Sequence, residues 1–236
     1  MVLVSFPSFL PLLARRSVFL LAVLLASGFF LFAPHAHAGA QIEEALMPSV
    51  VAGLQRSLSD RPIPNDYANR PDVLSWVSVI SPKLAKRLPD ERERNELLAT
   101  LHYEGTRAGL DLQLLLGVIH HESGFKKYAV SVAGARGYMQ VMPFWVKLIG
   151  NEEQNLFHLR TNLRYGCVIL RHYLDRENGD LFRALGRYNG SLGRAEYPNA
   201  VAAAMKRYEI QGTVVGEKSA ATASASRNLP ASVNVY

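Results

Sequence analysis

The run from Leu112 to Glu122 constrains this chain most. It reads LQLLLGVIHHE, apolar nearly all round through Leu114, Leu115, Leu116, Val118 and Ile119, and Asp111 stands where an N-cap belongs. Such a helix is a core helix, so other elements have to surround it. Helical spacing recurs upstream over residues 74–88 and 91–108. The second stretch has Leu97, Leu98, Leu101 and Tyr103 among charges, with Gly109 in the place of a C-terminal glycine. Downstream, Pro143 opens a short helix that Gly150 stops, and residues 162–175, 181–188 and 198–208 read as three more helices. Residues 41–58 form a mixed apolar-polar segment compatible with a helix, broken by Pro62 and Pro64. Residues 123–137 are rich in Gly, Ser and Ala and read as a loop that brings backbone close to something. No alternating strand pattern occurs, so the expected fold is mainly α.

Composition narrows the partners. With 49% hydrophobic and 19% charged residues the chain is neither disordered nor collagen-like, and its net charge of +6 favours anionic partners. A single cysteine, Cys167, excludes an internal disulfide framework and a multi-cysteine metal site, and reads as a small core residue. The first 38 residues hold Arg15, Arg16 and no acid, then an apolar stretch over 18–33, then Ala36-His37-Ala38. This pattern is that of a secretory signal peptide cleaved after Ala38. The alternative is an uncleaved anchor, because residues 2–13 are apolar as well, and only through it would the protein touch the membrane. The expectation is an exported, periplasmic protein. No nucleic acid partner is expected, since no basic helix or aromatic-basic stripe is present.

Glu122 is the residue most open to chemistry. The residues three, four and seven before it are Ile119, Val118 and Leu115, so its carboxyl continues an apolar helix face. It also lies in the last turn, where the helix dipole opposes a negative charge. Desolvation and dipole both raise its pKa, and a carboxylic acid that stays protonated near neutral pH is a general acid. The alternative is a helix-terminal glutamate turned out to water.

Three short motifs give Glu122 a context: Glu122-Ser123, then Gly137-Tyr138-Met139-Gln140 with Met142-Pro143 behind it, then Tyr188-Asn189-Gly190. In this order, with Ser131 between the first two, they resemble the catalytic domain of the family 1 soluble lytic transglycosylases. The resemblance implies a lysozyme-like helical fold. It also implies cleavage of the β-1,4 bond between N-acetylmuramic acid and N-acetylglucosamine in peptidoglycan, leaving a 1,6-anhydromuramic end. Glu122 takes the place of the family's single acid/base and Ser123 that of the serine after it. Gln140 would bind the glycan beside the cleaved bond, and Ser131 and Met142 would line the same subsites, with Tyr138 and Met139 in the motif between them. Tyr188 and Asn189 match the third motif, whose tyrosine hydroxyl lies against the glutamate in that family. Tyr138 stands where the family usually has Leu, and Arg187 where it usually has Ala. The implied organisation is a signal peptide over 1–38, an N-terminal helical segment over 39–110, the catalytic domain over 111–210 and a flexible tail over 211–236.

No Asp or Glu occurs between Glu122 and Glu152. Two-carboxylate glycosidases need a second acid, whereas a substrate-assisted reaction does not. Two rival readings remain: a goose-type lysozyme-like hydrolase, which needs a second carboxylate, and a wall-binding component of an envelope apparatus without turnover. Neither a metal nor a cofactor is expected. His120-His121-Glu122 is not a zinc-protease motif, because Phe125 stands where the second histidine would be. The two histidines read as packing or cleft-wall residues. Phe144, Trp145, Leu148, Tyr173 and Leu174 read as core. Lys126, Lys127, Arg136 and Lys147 form a basic stretch that attracts anionic stem peptides or is a solvated rim.

Overall fold

The computed structural model describes residues 41–59 and 61–210; the expected signal peptide over 1–38 and the tail over 211–236 lie outside the described residues. In chain order the helices are α1 (Pro48–Ser57), α2 (Pro71–Leu84), α3 (Glu91–Arg107), α4 (Leu112–Glu122), α5 (Phe144–Ile149), α6 (Leu159–Arg176), α7 (Leu181–Asn189) and α8 (Glu196–Met205). Short 3₁₀ turns occupy Tyr67–Asn69 and Lys206–Tyr208. Among the described residues extended pairing is confined to isolated bridges, Val130 to Arg136 and Arg136 to Val141. The fold is mainly α, as expected.

Local chemistry sets the helix starts. Asp90 accepts from the backbone N–H of Arg92 at 2.8 Å and of Glu93 at 3.0 Å, Asp111 from Leu114 at 2.8 Å, and Asp180 from Arg183 at 3.0 Å. Each carboxylate fills the free donors of a first turn. Proline starts two others. Pro71 begins α2 three residues before the expected start, and Pro48 begins α1, leaving residues 41–47 out of the helix. Proline presets its own φ for a first helical position and pushes the residue before it out of the α region. At the other end, α8 starts at Glu196 rather than Pro198, and the expected helix gives way to 3₁₀ turns at Lys206.

Helix α4 lies at the centre, packed against α3 on one side and α8 on the other, and α6 packs against α3 and α7. Leu115, Leu116, Val118 and Ile119 are fully buried in a core that also takes Leu97, Leu98 and Leu101 from α3. A buried ion network joins the N-terminal helices to the rest. Glu104 of α3 takes Arg160 at 3.0 Å and Arg164 at 3.5 Å from α6, and Arg107 at 3.6 Å from its own helix. Arg107 also donates to the carbonyls of Ser57 and Ser59 at 2.7 and 2.9 Å, which caps the end of α1.

Candidate active site

Glu122 closes α4 with its side chain inside the protein, 6% exposed. Burial pushes its pKa up to about 8, against the opposing effect of one hydrogen bond. That bond comes from Tyr197, in the first turn of α8, whose hydroxyl donates to Oε1 at 2.6 Å. The ring of Tyr197 is stacked on His121, with centroids 5.0 Å apart, so the phenol is held in place from the helix that carries the glutamate. Oε2 is buried and has no hydrogen-bond partner among the described residues. Because Oε1 already accepts from Tyr197, the proton of the neutral acid belongs on Oε2. A buried, protonated oxygen without an internal acceptor is suited to give its proton to a bound molecule.

The neighbouring histidine is structural. Arg87 can only donate, and its Nη2 lies 3.1 Å from Nε2 of His120, so Nε2 carries the lone pair. Nδ1 then carries the hydrogen and donates to the Tyr208 hydroxyl at 2.6 Å. Burial, with Arg87 and Arg207 nearby, pushes the His120 pKa down to about 4, which keeps the ring neutral. Among the described residues no group of three or more His, Cys, Asp or Glu is placed to hold a metal ion.

The loop after α4 is held by bonds to its backbone. Ser123 donates its hydroxyl to the carbonyl of Tyr138 at 2.8 Å and accepts from the N–H of Phe125 at 3.2 Å. Tyr188, fully buried at the end of α7, donates to the carbonyl of Met139 at 2.8 Å. Asn162 of α6 accepts from the N–H of Met139 at 2.8 Å and donates to the carbonyls of Arg136 and Leu156. Two glycines make room for this seam. A Cβ at Gly137, where φ is +74°, would lie 2.4 Å from Asn162 Nδ2, and one at Gly166 would lie 2.3 Å from the sulfur of Met139. Gln140 takes a φ of +49°, which residues other than glycine rarely adopt, and its amide donates to the carbonyls of Ala129 and Gly137.

A family model for the transglycosylase SLT domain matches residues 100–210, the span that holds Glu122, Tyr197 and the loop between α4 and α5. Residues 100–210 are thus similar to a transglycosylase SLT domain. The chain is 27% identical over 175 residues to membrane-bound lytic murein transglycosylase C of Haemophilus influenzae (strain PittEE), covering 66% of this chain and 46% of that protein. It is 34% identical over 98 residues to the transglycosylase of Enterobacteria phage PRD1, covering 42% of this chain and 36% of the phage protein. The chain thus spans less than half the length of these curated relatives. The solved lytic transglycosylase Slt of Pseudomonas aeruginosa aligns with 80% of this chain and 38% of its own at 18% identity, with a TM-score of 0.38, a likeness on which no conclusion rests. No helix among the described residues is long and apolar enough to cross a membrane.

Within residues 100–210 the three motifs meet around one loop, though not with the contacts expected. The hydroxyl that bonds to Glu122 belongs to Tyr197, whereas Tyr188, within electrostatic range of the carboxyl, spends its proton on Met139. Ser123 and Met139 are buried in the seam. Tyr138 is buried too, and its phenol reaches Glu93 of α3 at 3.2 Å, which gives the hydroxyl absent from a leucine a partner. Ser131 accepts from the N–H of Ala135 at 3.1 Å and shapes the turn between them. Asn189 donates to Ser191 at 3.0 Å, and its own oxygen is buried without a partner among the described residues. Met142 is half-buried, and its N–H donates to Gln41 at 3.3 Å. Cys167, Trp145, Tyr173 and Leu174 are buried as core residues. Tyr197 and Gln41 escape sequence reasoning. The only sequence signal for Tyr197 is an aromatic ahead of Pro198 in an otherwise alanine-rich helix.

Proposed function

We propose that the SLT domain cleaves the β-1,4 bond between N-acetylmuramic acid and N-acetylglucosamine in peptidoglycan and leaves a 1,6-anhydromuramic end. The observation that carries this reading is the state of Glu122: buried, neutral up to a pH of about 8, hydrogen-bonded at Oε1 and unpartnered at Oε2. Glu122 Oε2 protonates the leaving glycosidic oxygen. The N-acetyl group of the muramic acid stabilises C1 as the bond breaks. The ionised carboxylate then removes the proton from the C6 hydroxyl, whose oxygen closes on C1, so Glu122 ends the cycle protonated. One carboxyl serves both halves because the second nucleophile belongs to the sugar, which spares the entropy of recruiting water. Tyr197 keeps its donor on Oε1 throughout and steadies the carboxylate formed between the two proton transfers. Gln140, Ser131, Met142, Tyr188 and Asn189 are proposed to face or shape the glycan subsites. Ser123, Tyr138 and Met139 support them from beneath. Peptidoglycan lies outside the cytoplasmic membrane, so this function accords with export directed by residues 1–38, the reading in which residues 39–110 precede the catalytic part and 211–236 follow it as a tail.

The test is mass spectrometry of muropeptides released from purified peptidoglycan, in parallel with Glu122→Gln. Fragments one water lighter than the hydrolytic product, absent with the variant, are expected. Reducing-end products would turn the reading to a hydrolase, and no release by either protein would turn it to a wall-binding role.

A further inference from the structure

The candidate site is already touched by a part of this chain. Gln41 is 4% exposed, although it lies in an irregular segment ahead of α1 and about 100 residues from its partners in sequence. Its side-chain oxygen accepts from Trp145 Nε1 at 3.0 Å and from the N–H of Met142 at 3.3 Å. Its amide nitrogen is buried without a hydrogen-bond partner among the described residues, and its side chain is close enough to Tyr188 to bear on that hydroxyl, which is itself within electrostatic range of Glu122. Three residues on, Glu44 is ion-paired with Arg176 and lies 3.4 Å from Arg187. Arg187 directly precedes Tyr188, in the place where the resembled family usually has alanine. Leu46 then packs on the core before Pro48 starts α1.

The chemistry of the contact defines what it does. A glutamine side chain ends in a carbonyl and an N–H on one planar carbon, the same hydrogen-bonding unit as the acetamido group of an N-acetylated sugar. It occupies the N–H of Met142, a residue proposed to face the glycan. The Glu44 pairs are part-exposed, so they hold the segment weakly and respond to salt.

We propose that residues 41–47 form an intramolecular strap that competes with the glycan for the candidate site, with Gln41 in the place of an acetamido group and Glu44 as its electrostatic latch on Arg176 and Arg187. The proposal rests on the functional reading of the site given above. Glycan binding requires the strap to leave, so the apparent affinity is the intrinsic affinity reduced by the fraction of molecules with the strap released.

The test measures binding of the uncharged β-1,4 tetramer of N-acetylglucosamine to the full chain bearing Glu122→Gln, with and without Gln41→Ala and Glu44→Ala. The strap variants are expected to bind about tenfold tighter. Added salt is expected to tighten binding to the parent and to leave the Glu44→Ala variant unchanged, because neither the ligand nor its contacts with Gln41's partners carry charge. Peptidoglycan turnover at subsaturating substrate, with Glu122 restored, is expected to rise by the same factor. Unchanged or weaker tetramer binding by both strap variants, with melting temperatures showing them folded, overturns the strap. Tighter binding without any peptidoglycan release leaves the strap standing and overturns the catalytic reading instead.

Discussion

The hydroxyl of Tyr197 donates to Oε1 of Glu122 at 2.6 Å across the contact between α8 and α4. This bond stabilises the ionised carboxyl, so it works against burial and holds the pKa below the value that burial alone would set. Tyr197→Phe should therefore move the upper limit of the active pH range above about 8, because Glu122 keeps its proton further into alkali. The carboxylate formed during turnover loses its donor, so kcat should fall by roughly tenfold to a hundredfold while KM changes little. A pH–rate profile of the variant against wild type checks both effects.

Glu122→Gln should change how stability depends on pH. The native carboxyl, with a pKa of about 8, holds a proton that the unfolded chain releases near the ordinary value of 4.5. Stability from this group is therefore full below about 4.5 and lost as pH rises toward about 8, by at most about 1.4 kcal/mol per pH unit. The variant has no such proton to lose. Its unfolding free energy relative to wild type should climb across that window and level off above it, as measured by urea denaturation at several pH values.

Gly166→Ala should loosen the seam between α6 and the loop. The new Cβ would fall 2.3 Å from the sulfur of Met139 and 2.7 Å from its Cβ, so the side chain and the backbone behind it must move. Overpacking of this kind costs about 1–3 kcal/mol. Activity should drop more than stability implies, since Met139 supplies the carbonyl that receives Tyr188. Comparing kcat at a temperature where both proteins are folded separates the two.

Glu104→Ala should destabilise the protein by about 3 kcal/mol, because it leaves the Arg160, Arg164 and Arg107 guanidinium groups in and around a buried site without their shared carboxylate. A lower midpoint of urea unfolding is the expected reading, with no change in the pH limits of activity.

The mainly α fold was legible because apolar spacing and cap residues agree along the chain. Asp111 caps α4, and Leu115, Val118 and Ile119 placed Glu122 on an apolar helix face, which left a buried carboxyl and one turned out to water both open; the structure has the first. What stayed hidden was contact between elements far apart in sequence. Tyr197 lay outside the expected helix, which began at Pro198, so its ring had no predicted face. Asn162 marked the start of an expected helix, yet it works as a clamp on three backbone groups, two of them more than twenty residues away. Glu104 looked like one charge among many on α3, and only the packing of α6 makes it a buried anion. Periodicity reports which side of an element is covered and says nothing of what covers it.

Ser123 and Tyr188 both grip the loop by its peptide carbonyls, at Tyr138 and at Met139. Every amino acid offers that same acceptor, so these two anchors do not depend on which side chains the loop bears. Other residues that fit the space at 138 and 139 would keep both tethers. This is how a tyrosine sits where a leucine is usual, reaching out to Glu93 while the strand of backbone beside the acid stays in register. At these two points the loop is held by its peptide groups, whichever side chains stand there.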